Sequence, residues 1–183
     1  MRIIAGEARG RPIVAPEGRD TRPTLDRVRE SLFNILGQRI PDARVLDCFA
    51  GSGALALESL SRGAASAVLV DSAPKACQAI RRNLSTLGME DRARLLALDW
   101  RQALRLLVRE GTRFDLIFLD PPYRMSGIAE AVDALRAVAA PGARFILEHA
   151  RTLPPEIAPP LTCVDTRNYG DTVIRFFTEE EPR

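Results

Sequence analysis

The sequence of 183 residues predicts an α/β fold with a seven-stranded, mostly parallel sheet and a small N-terminal extension. Continuous apolar segments of strand length alternate with helical segments, which is typical of parallel strands covered on both faces. A glycine-rich turn at residues 51–53 follows the first core strand and opens a helix, as in Rossmann-like folds. The last two segments alternate apolar and polar residues across a turn, which predicts a closing hairpin and an antiparallel last strand.

The composition is that of one soluble domain. Apolar residues make up 46% of the chain, and the net charge of +2 is too small to indicate a nucleic-acid partner by itself. No run of about 18 apolar residues occurs and no apolar signal core begins the chain, so we expect a cytoplasmic protein with no membrane partner. The cysteines and the single histidine lack metal-ligand spacing, and we expect no metal: Cys48, Cys77, Cys163 and His149.

The chain is predicted to divide into a β-hairpin-like extension, residues 1–22, and a Rossmann-like domain, residues 23–183. Two short β-like runs, at 2–6 and 11–16, flank the turn-forming Gly10. The extension carries an excess of arginine, which makes it a candidate for engaging RNA. The alternative is that the segment only covers an edge of the sheet or of a helix.

The elements of the larger domain follow in order. Thr24 is a good N-cap for a first helix that stops at Gly37 and has one apolar face: Leu25, Val28, Leu32, Ile35 and Leu36. Further helices are expected over residues 54–62, 72–88, 100–110 and 128–138. Strands are expected over residues 45–49, 67–71, 93–97, 114–120, 144–148, 161–167 and 172–178.

The glycine turn predicts a cofactor site. Gly51 permits the tight turn, Gly53 lets a ligand approach the backbone, and Ala56 allows close packing of helix on strand. Asp71 ends the next strand about 20 residues later, where an acid accepts hydrogen bonds from ribose hydroxyls in dinucleotide folds. Two alternatives stay open: Asp71 as a helix-capping acid, and a nicotinamide dinucleotide as the ligand.

Asp99 and Trp100 follow the third strand at its carboxyl end, where ligands gather in open α/β sheets. Asp99 could accept a hydrogen bond from an adenine amino group or cap the next helix, and both roles are compatible. Trp100 covers the ring or belongs to the core. The predicted cofactor shell is therefore Asp47, Phe49, Gly51, Gly53, Asp71, Asp99 and Trp100.

Asp120, Pro121, Pro122 and Tyr123 form the most specific motif, directly after the fourth strand. The two prolines restrict the backbone and hold its carbonyl groups in fixed directions. An exocyclic amine of a base could donate to the Asp120 carboxylate and the Pro121 carbonyl, while the base stacks on Tyr123. With the glycine turn, this loop predicts methylation of a base amine by S-adenosylmethionine (AdoMet). The alternative is a structural Pro-Pro turn.

Several runs together resemble the RsmD family of 16S rRNA guanine-N2 methyltransferases over almost the whole chain: residues 1–6, 9–11, 21–24, 26–30, 32–34 and 46–55. The resemblance implies a class I AdoMet-dependent methyltransferase fold and N2 of guanine 966 in 16S rRNA as the target. It also implies an extension that contacts RNA and ribosomal protein. Two positions depart from the family pattern: Ala56 replaces a frequent glycine, and Asp71 a frequent glutamate.

The expected partner is 16S rRNA within an assembled or partly assembled small ribosomal subunit, bound by a monomer. The candidate phosphate contacts are Arg9, Arg11, Arg22, Arg27 and Arg29. An adenine-N6 methyltransferase would use the same amine chemistry, and the N-terminal signature disfavours it. A nonenzymatic RNA-binding module is disfavoured because both motifs are intact.

Overall fold

The computed structural model describes residues 1–16, 23–122 and 125–179. The helices are α1 Pro23–Leu36, α2 Ala54–Ser61, α3 Pro74–Leu87, α4 Trp100–Arg109 and α5 Ile128–Leu135. The strands are β1 Arg44–Cys48, β2 Ser66–Val70, β3 Ala93–Leu96, β4 Phe114–Leu119, β5 Ala139–Ala150, β6 Leu161–Tyr169 and β7 Thr172–Glu179. Among these residues, no helix is long and apolar enough to cross a membrane.

The strands form one seven-stranded sheet in the order β3-β2-β1-β4-β5-β7-β6. The neighbours from β3 to β5 pair in parallel, whereas β7 pairs antiparallel with both β5 and β6. The predicted mixed sheet with an antiparallel last strand is confirmed. Because β1 lies between β2 and β4, the crossovers diverge there and open a crevice at the carboxyl ends of the strands.

Alternation along the strands divides the core into two layers. Val45, Phe118 and Ile146 pack on the face that α1, α2 and α3 cover. Leu46 and Leu147 pack on the opposite face, against α4 and α5. The near-continuous apolar strands of the sequence are explained by this double coverage.

The N-terminal segment is a hairpin-like loop that is part of the packed core. The Ile3 amide donates to the Arg11 carbonyl and the Ile13 amide to the Met1 carbonyl, both at 3.0 Å. Ile3 and Ile13 are buried. The loop rests on α2 through Glu58, whose carboxylate accepts the amides of residues 4 and 5 at 2.8 and 3.0 Å.

Several element boundaries shift by one or more residues from the prediction, and the largest differences lie in α1, α5 and β5. Helix α1 begins at Pro23, so Thr24 lies inside the helix and is not its N-cap; proline suits a first helical position because its missing amide would have no partner there. Ile35 is 36% exposed, although the apolar pattern placed it on the core face. Helix α5 ends at Leu135 and continues as a 3-10 turn, and β5 begins at Ala139, earlier than predicted.

Candidate functional site

A cleft of about 720 Å³ opens at the carboxyl edge of the sheet. Its described walls come from residues at or after the ends of four strands, together with Pro16: Phe49, Gly51, Val70, Asp71, Ser72, Ala73, Lys75, Ala76, Leu98, Asp99, Trp100, Arg101, Asp120, Pro122, Met125 and Ser126. Most of the predicted site residues that the structure describes line it: Phe49, Gly51, Asp71, Asp99, Trp100, Asp120 and Pro122. The structure therefore brings together two motifs that lie about seventy residues apart in the sequence.

The glycine turn is tied to the end of β2. The amides of Phe49 and Ala50 both donate to the Val70 carbonyl at 3.0 Å. Phe49 and Gly51 have φ values of 70° and 59°, in the left-handed region that only glycine adopts without strain. A bulky residue held at positive φ between two cavities is the kind of backbone strain that clusters at functional sites.

Asp71 is the acid that holds this turn in place. Its Oδ2 accepts the Gly51 amide and its Oδ1 accepts the Ala73 amide, both at 2.9 Å. The second contact orders the chain just before α3, whose N-cap is Ala73 with no side-chain cap bond, so Asp71 is not the cap of that helix. Each carboxylate oxygen has two lone pairs, and the half-buried side chain keeps acceptor capacity towards the cleft.

The structure gives Gly53 a different role from the predicted one. Gly53 has φ +78°, and a Cβ built there would lie 2.8 Å from Leu69 Cδ2 and 3.5 Å from Ile80 Cγ1. It does not line the cleft. The missing side chain therefore makes room for the core, and the prediction that Gly53 admits the ligand is corrected. Ala56, fully buried in α2, packs on the sheet as expected.

Asp99 has one of the two roles that the sequence left open for it, that of a helix cap, and the adenine contact stays a prediction. It is the N-cap of α4, where its Oδ1 accepts the Arg101 amide at 2.9 Å, and it also lines the cleft. Trp100 is 6% exposed and packs in the core, with one part of the residue in the cleft wall. The Arg101 guanidinium covers the indole at 4.4 Å from the ring centroid.

A second, smaller chamber of about 160 Å³ adjoins the cleft. The two cavities share Pro16, Phe49, Gly51 and Asp120. The other walls are mostly apolar and come from distant segments: Met1, Ala15, Val28, Arg29, Leu32, Asp47, Ala50, Ser52, Ala54, Leu55, Glu148 and Ile174. Asp47, predicted as part of the cofactor shell, lines only the smaller of these two cavities.

Sheet register places three acids together at this edge. Cys48 of β1 pairs with Leu119 of β4, which pairs in turn with Leu147 of β5. Asp47, Asp120 and Glu148 stand one residue from these positions, and alternation directs them to the face that α1 covers. The sequence shows no spacing that would have singled out Glu148, because its neighbours come from other strands.

Asp47 is the most deeply buried of the three, with 1% of its surface exposed. Its Oδ2 accepts the Ala56 amide at 3.1 Å, which anchors the first turn of α2. Burial raises the pKa of its carboxyl to about 8, and the nearby charges of Asp120 and Asp71 act in the same direction. The protonated, neutral form of Asp47 is therefore favoured at neutral pH.

The proline loop leaves the end of β4 at Asp120, which lines both cavities. Pro121 is buried and Pro122 is exposed. The Pro122 carbonyl accepts the Met125 amide at 2.8 Å. Tyr123, the predicted stacking platform, lies outside the described residues.

The arginines predicted to contact phosphate have unlike surroundings. Arg29 is 5% exposed; its guanidinium donates to the Arg2 carbonyl and to Asp26 Oδ1, the latter at 3.1 Å, and burial lowers its pKa. Arg11 donates to the carbonyls of Thr86 and Leu87 at the end of α3. Arg9 and Arg27 are exposed, and Arg22 lies outside the described residues.

Comparison with known proteins matches residues 1–178 to a family described as "Conserved hypothetical protein 95". Ribosomal RNA small subunit methyltransferase D of Escherichia coli K12 is 44% identical over 135 residues, which are 74% of this chain and 66% of that protein. The chain belongs to the RsmD family. YlbH of Bacillus subtilis is 36% identical over 97% of this chain and 98% of its own length.

Comparison with solved structures shows the same fold in a protein titled as a putative methyltransferase. The yhhF protein of Escherichia coli superposes with a TM-score of 0.84 at 36% identity, covering 100% of this chain and 99% of that one. The fold is accordingly that of a class I AdoMet-dependent methyltransferase. In this fold the carboxyl edge around β1 and β4 is where ligands bind, and the cleft opens there.

Proposed function

We propose that this protein transfers a methyl group from AdoMet to the exocyclic N2 amine of a guanine in 16S rRNA, at position 966. The observation that carries the proposal is the junction of two cavities at Asp120. A large cleft on one side suits an extended cofactor, and a small apolar chamber on the other suits one base. The RsmD-family relatives named for small-subunit rRNA methylation support the substrate class.

The residues present fit AdoMet in the cleft. Asp71 can accept the ribose hydroxyls with the lone pairs that Gly51 and Ala73 do not use. Asp99 can accept from the adenine amino group while Leu98 and Trp100 cover the ring. When bound, AdoMet supplies an electrophilic methyl on a sulfonium. The carboxylate of Asp120, at the junction of the two cavities, favours that positive charge.

Asp120 and Pro121 act on the target amine. The lone pair of an exocyclic amine is delocalised into the base, so the amine is a weak nucleophile. Acceptance of its two N–H groups by the Asp120 carboxylate and the Pro121 carbonyl would turn the lone pair towards the shared wall at Phe49 and Gly51. Asp120 also stabilises the cationic amine that forms on transfer, until its proton leaves. Tyr123 stays the predicted platform for the flipped base.

The RNA-binding surface is proposed to centre on exposed arginines near the N-terminal segment. Arg9 and Arg27 belong to this set, and Arg22 is included on the basis of the sequence alone. Arg29 does not belong to it because its guanidinium is buried among protein partners, and the Arg11 guanidinium donates to carbonyls at the end of α3. The partner is 16S rRNA in an assembled or partly assembled small subunit, met in the cytoplasm by a monomer.

Nucleoside mass analysis tests this function directly. Small subunits from cells that lack this protein, incubated with the purified protein and AdoMet, should gain N2-methylguanosine at a single position. Untreated subunits are the control for pre-existing methylation. Recovery of N6-methyladenosine would move the protein to the rival adenine class, and no new methylated nucleoside would contradict the proposal.

A further inference from the structure

Glu148 occupies a defined place in the smaller chamber. It follows Leu147 of β5, and Asp120 follows the paired Leu119 of β4, so the two acids leave adjacent parallel strands side by side. Ile174 of β7 stands opposite Glu148 across the antiparallel pair, and both residues line the chamber. The glutamate is half-buried. It is therefore held at a fixed point in the sheet, one strand away from the proposed amine-binding acid.

The chamber wall also carries the side chains of Asp47, Arg29 and Asp120. Asp47 is anchored to the Ala56 amide, and the Arg29 guanidinium is bound by Asp26 and the Arg2 carbonyl. Asp120 is assigned to the exocyclic amine. Glu148 is a further carboxylate in the wall of the apolar pocket where the base would enter, on the strand next to Asp120.

The Watson–Crick edge of guanine matches two neighbouring acids. It presents the N1–H donor directly beside the N2 amine. In adenine and in 2,6-diaminopurine, N1 is instead an acceptor, and a carboxylate facing it would place two lone pairs together. We infer that the Glu148 carboxylate accepts the N1–H of the target base and so selects guanine among purines. This inference rests on the proposed function and adds the residue that determines its base specificity.

Exchange of Glu148 for glutamine tests the inference, because it changes one acceptor into a donor at constant size. The substrate is small-subunit RNA with guanine or 2,6-diaminopurine at the target position, since both bases carry the N2 amine. The wild-type protein should strongly prefer guanine. Glu148→Gln should lower kcat/KM for guanine about 10- to 100-fold and raise the relative rate on 2,6-diaminopurine, because the amide can donate to N1.

Matched variants separate specificity from structure. Glu156→Gln, an exposed glutamate outside the chamber, should leave the base preference unchanged. Glu148→Gln should have the melting temperature of the wild-type protein, and its AdoMet affinity should lie within a few-fold of the wild-type value. Glu148→Ala should lose guanine activity without gaining 2,6-diaminopurine activity, since alanine can neither accept nor donate.

Two outcomes would overturn the inference. One is a wild-type protein that methylates both bases equally well. The other is a Glu148→Gln protein whose two rates fall by the same factor, which would show a merely structural role. A wild-type protein that does not methylate guanine N2 at all would instead contradict the proposed function, so the two failures are distinguishable.

Discussion

The cleft and the chamber are built in different ways. Most of the cleft consists of short loops that each follow a strand, so the residues within each loop are near neighbours in sequence. The chamber combines the glycine turn and the start of α2 with residues of the N-terminal segment, α1, β1, β5 and β7. A cleft at this place is a general feature of parallel sheets, which bind many different ligands there. The chamber instead depends on how the elements of this protein pack together.

The two cavities also differ in how their acids are held. Asp71 and Asp99 in the cleft accept the backbone amides of Ala73 and Arg101, each two residues further along the chain. Such short-range bonds position a side chain as soon as its loop forms. The chamber acids Asp120 and Glu148 depend on strand register for their positions relative to each other. The cleft should therefore tolerate substitutions in β5 and β7, and the chamber should not.

Asp120 stands in both cavities, and its removal should have the largest effect. Asp120→Ala is expected to reduce turnover about 10²- to 10³-fold, because the amine loses its charged acceptor. AdoMet affinity should change only a few-fold, as measured by calorimetry. Asp115→Ala, at the other end of β4 in a surface pair with Arg44, is the control and should leave turnover unchanged. Near-normal turnover of Asp120→Ala would contradict the amine mechanism.

Asp71 tests the cleft side of the comparison. Asp71→Ala should weaken AdoMet binding by about 1.5–3 kcal/mol, because a charged acceptor is lost and the Gly51 amide is no longer held. Asp91→Ala, an exposed acid before β3, should bind AdoMet like the wild type. If Asp71→Ala also bound AdoMet like the wild type, the cleft would not be the cofactor site.

A smaller effect separates Arg9 from Arg11 in the N-terminal segment. Arg11→Ala should lower the free energy of unfolding by about 0.5–1.5 kcal/mol, because two carbonyls at the end of α3 lose their donor. Arg9→Ala should keep the melting temperature, but weaken RNA binding and reduce its salt slope by about 1. Chemical denaturation and titrations at several salt concentrations measure both. An unchanged RNA affinity for Arg9→Ala would leave the segment with a structural role only.

Most of the cleft could be predicted from the sequence because its signals are local. A glycine turn after a buried strand, an acid at the end of the next strand and a proline pair after another each have a short-range cause. Asp71 and Asp99 lie where the pattern placed them. The mixed sheet was predictable for the same reason, since the alternation of the last two strands is visible in the sequence.

The chamber could not be predicted, because no sequence spacing relates Glu148 to Asp120 or Ile174 to either. Their proximity arises from strand order and register. Tertiary packing also explains the corrections at Gly53 and Arg29. The absence of a side chain at Gly53 leaves room for Leu69 and Ile80 in the core. The Arg29 guanidinium forms ion pairs with Asp26 and Glu58. A sequence pattern shows that such residues are unusual without showing what they contact.

The place of β7 in the interior of the sheet has a consequence for the order of folding. All the loops of the cleft precede residue 127 in the chain, but the chamber lacks its Ile174 wall until the β6–β7 hairpin docks on β5 through β7. An emerging chain therefore presents all the residues of its cleft loops before it presents Ile174, so these loops are available to form earlier than the wall that helps to enclose a base.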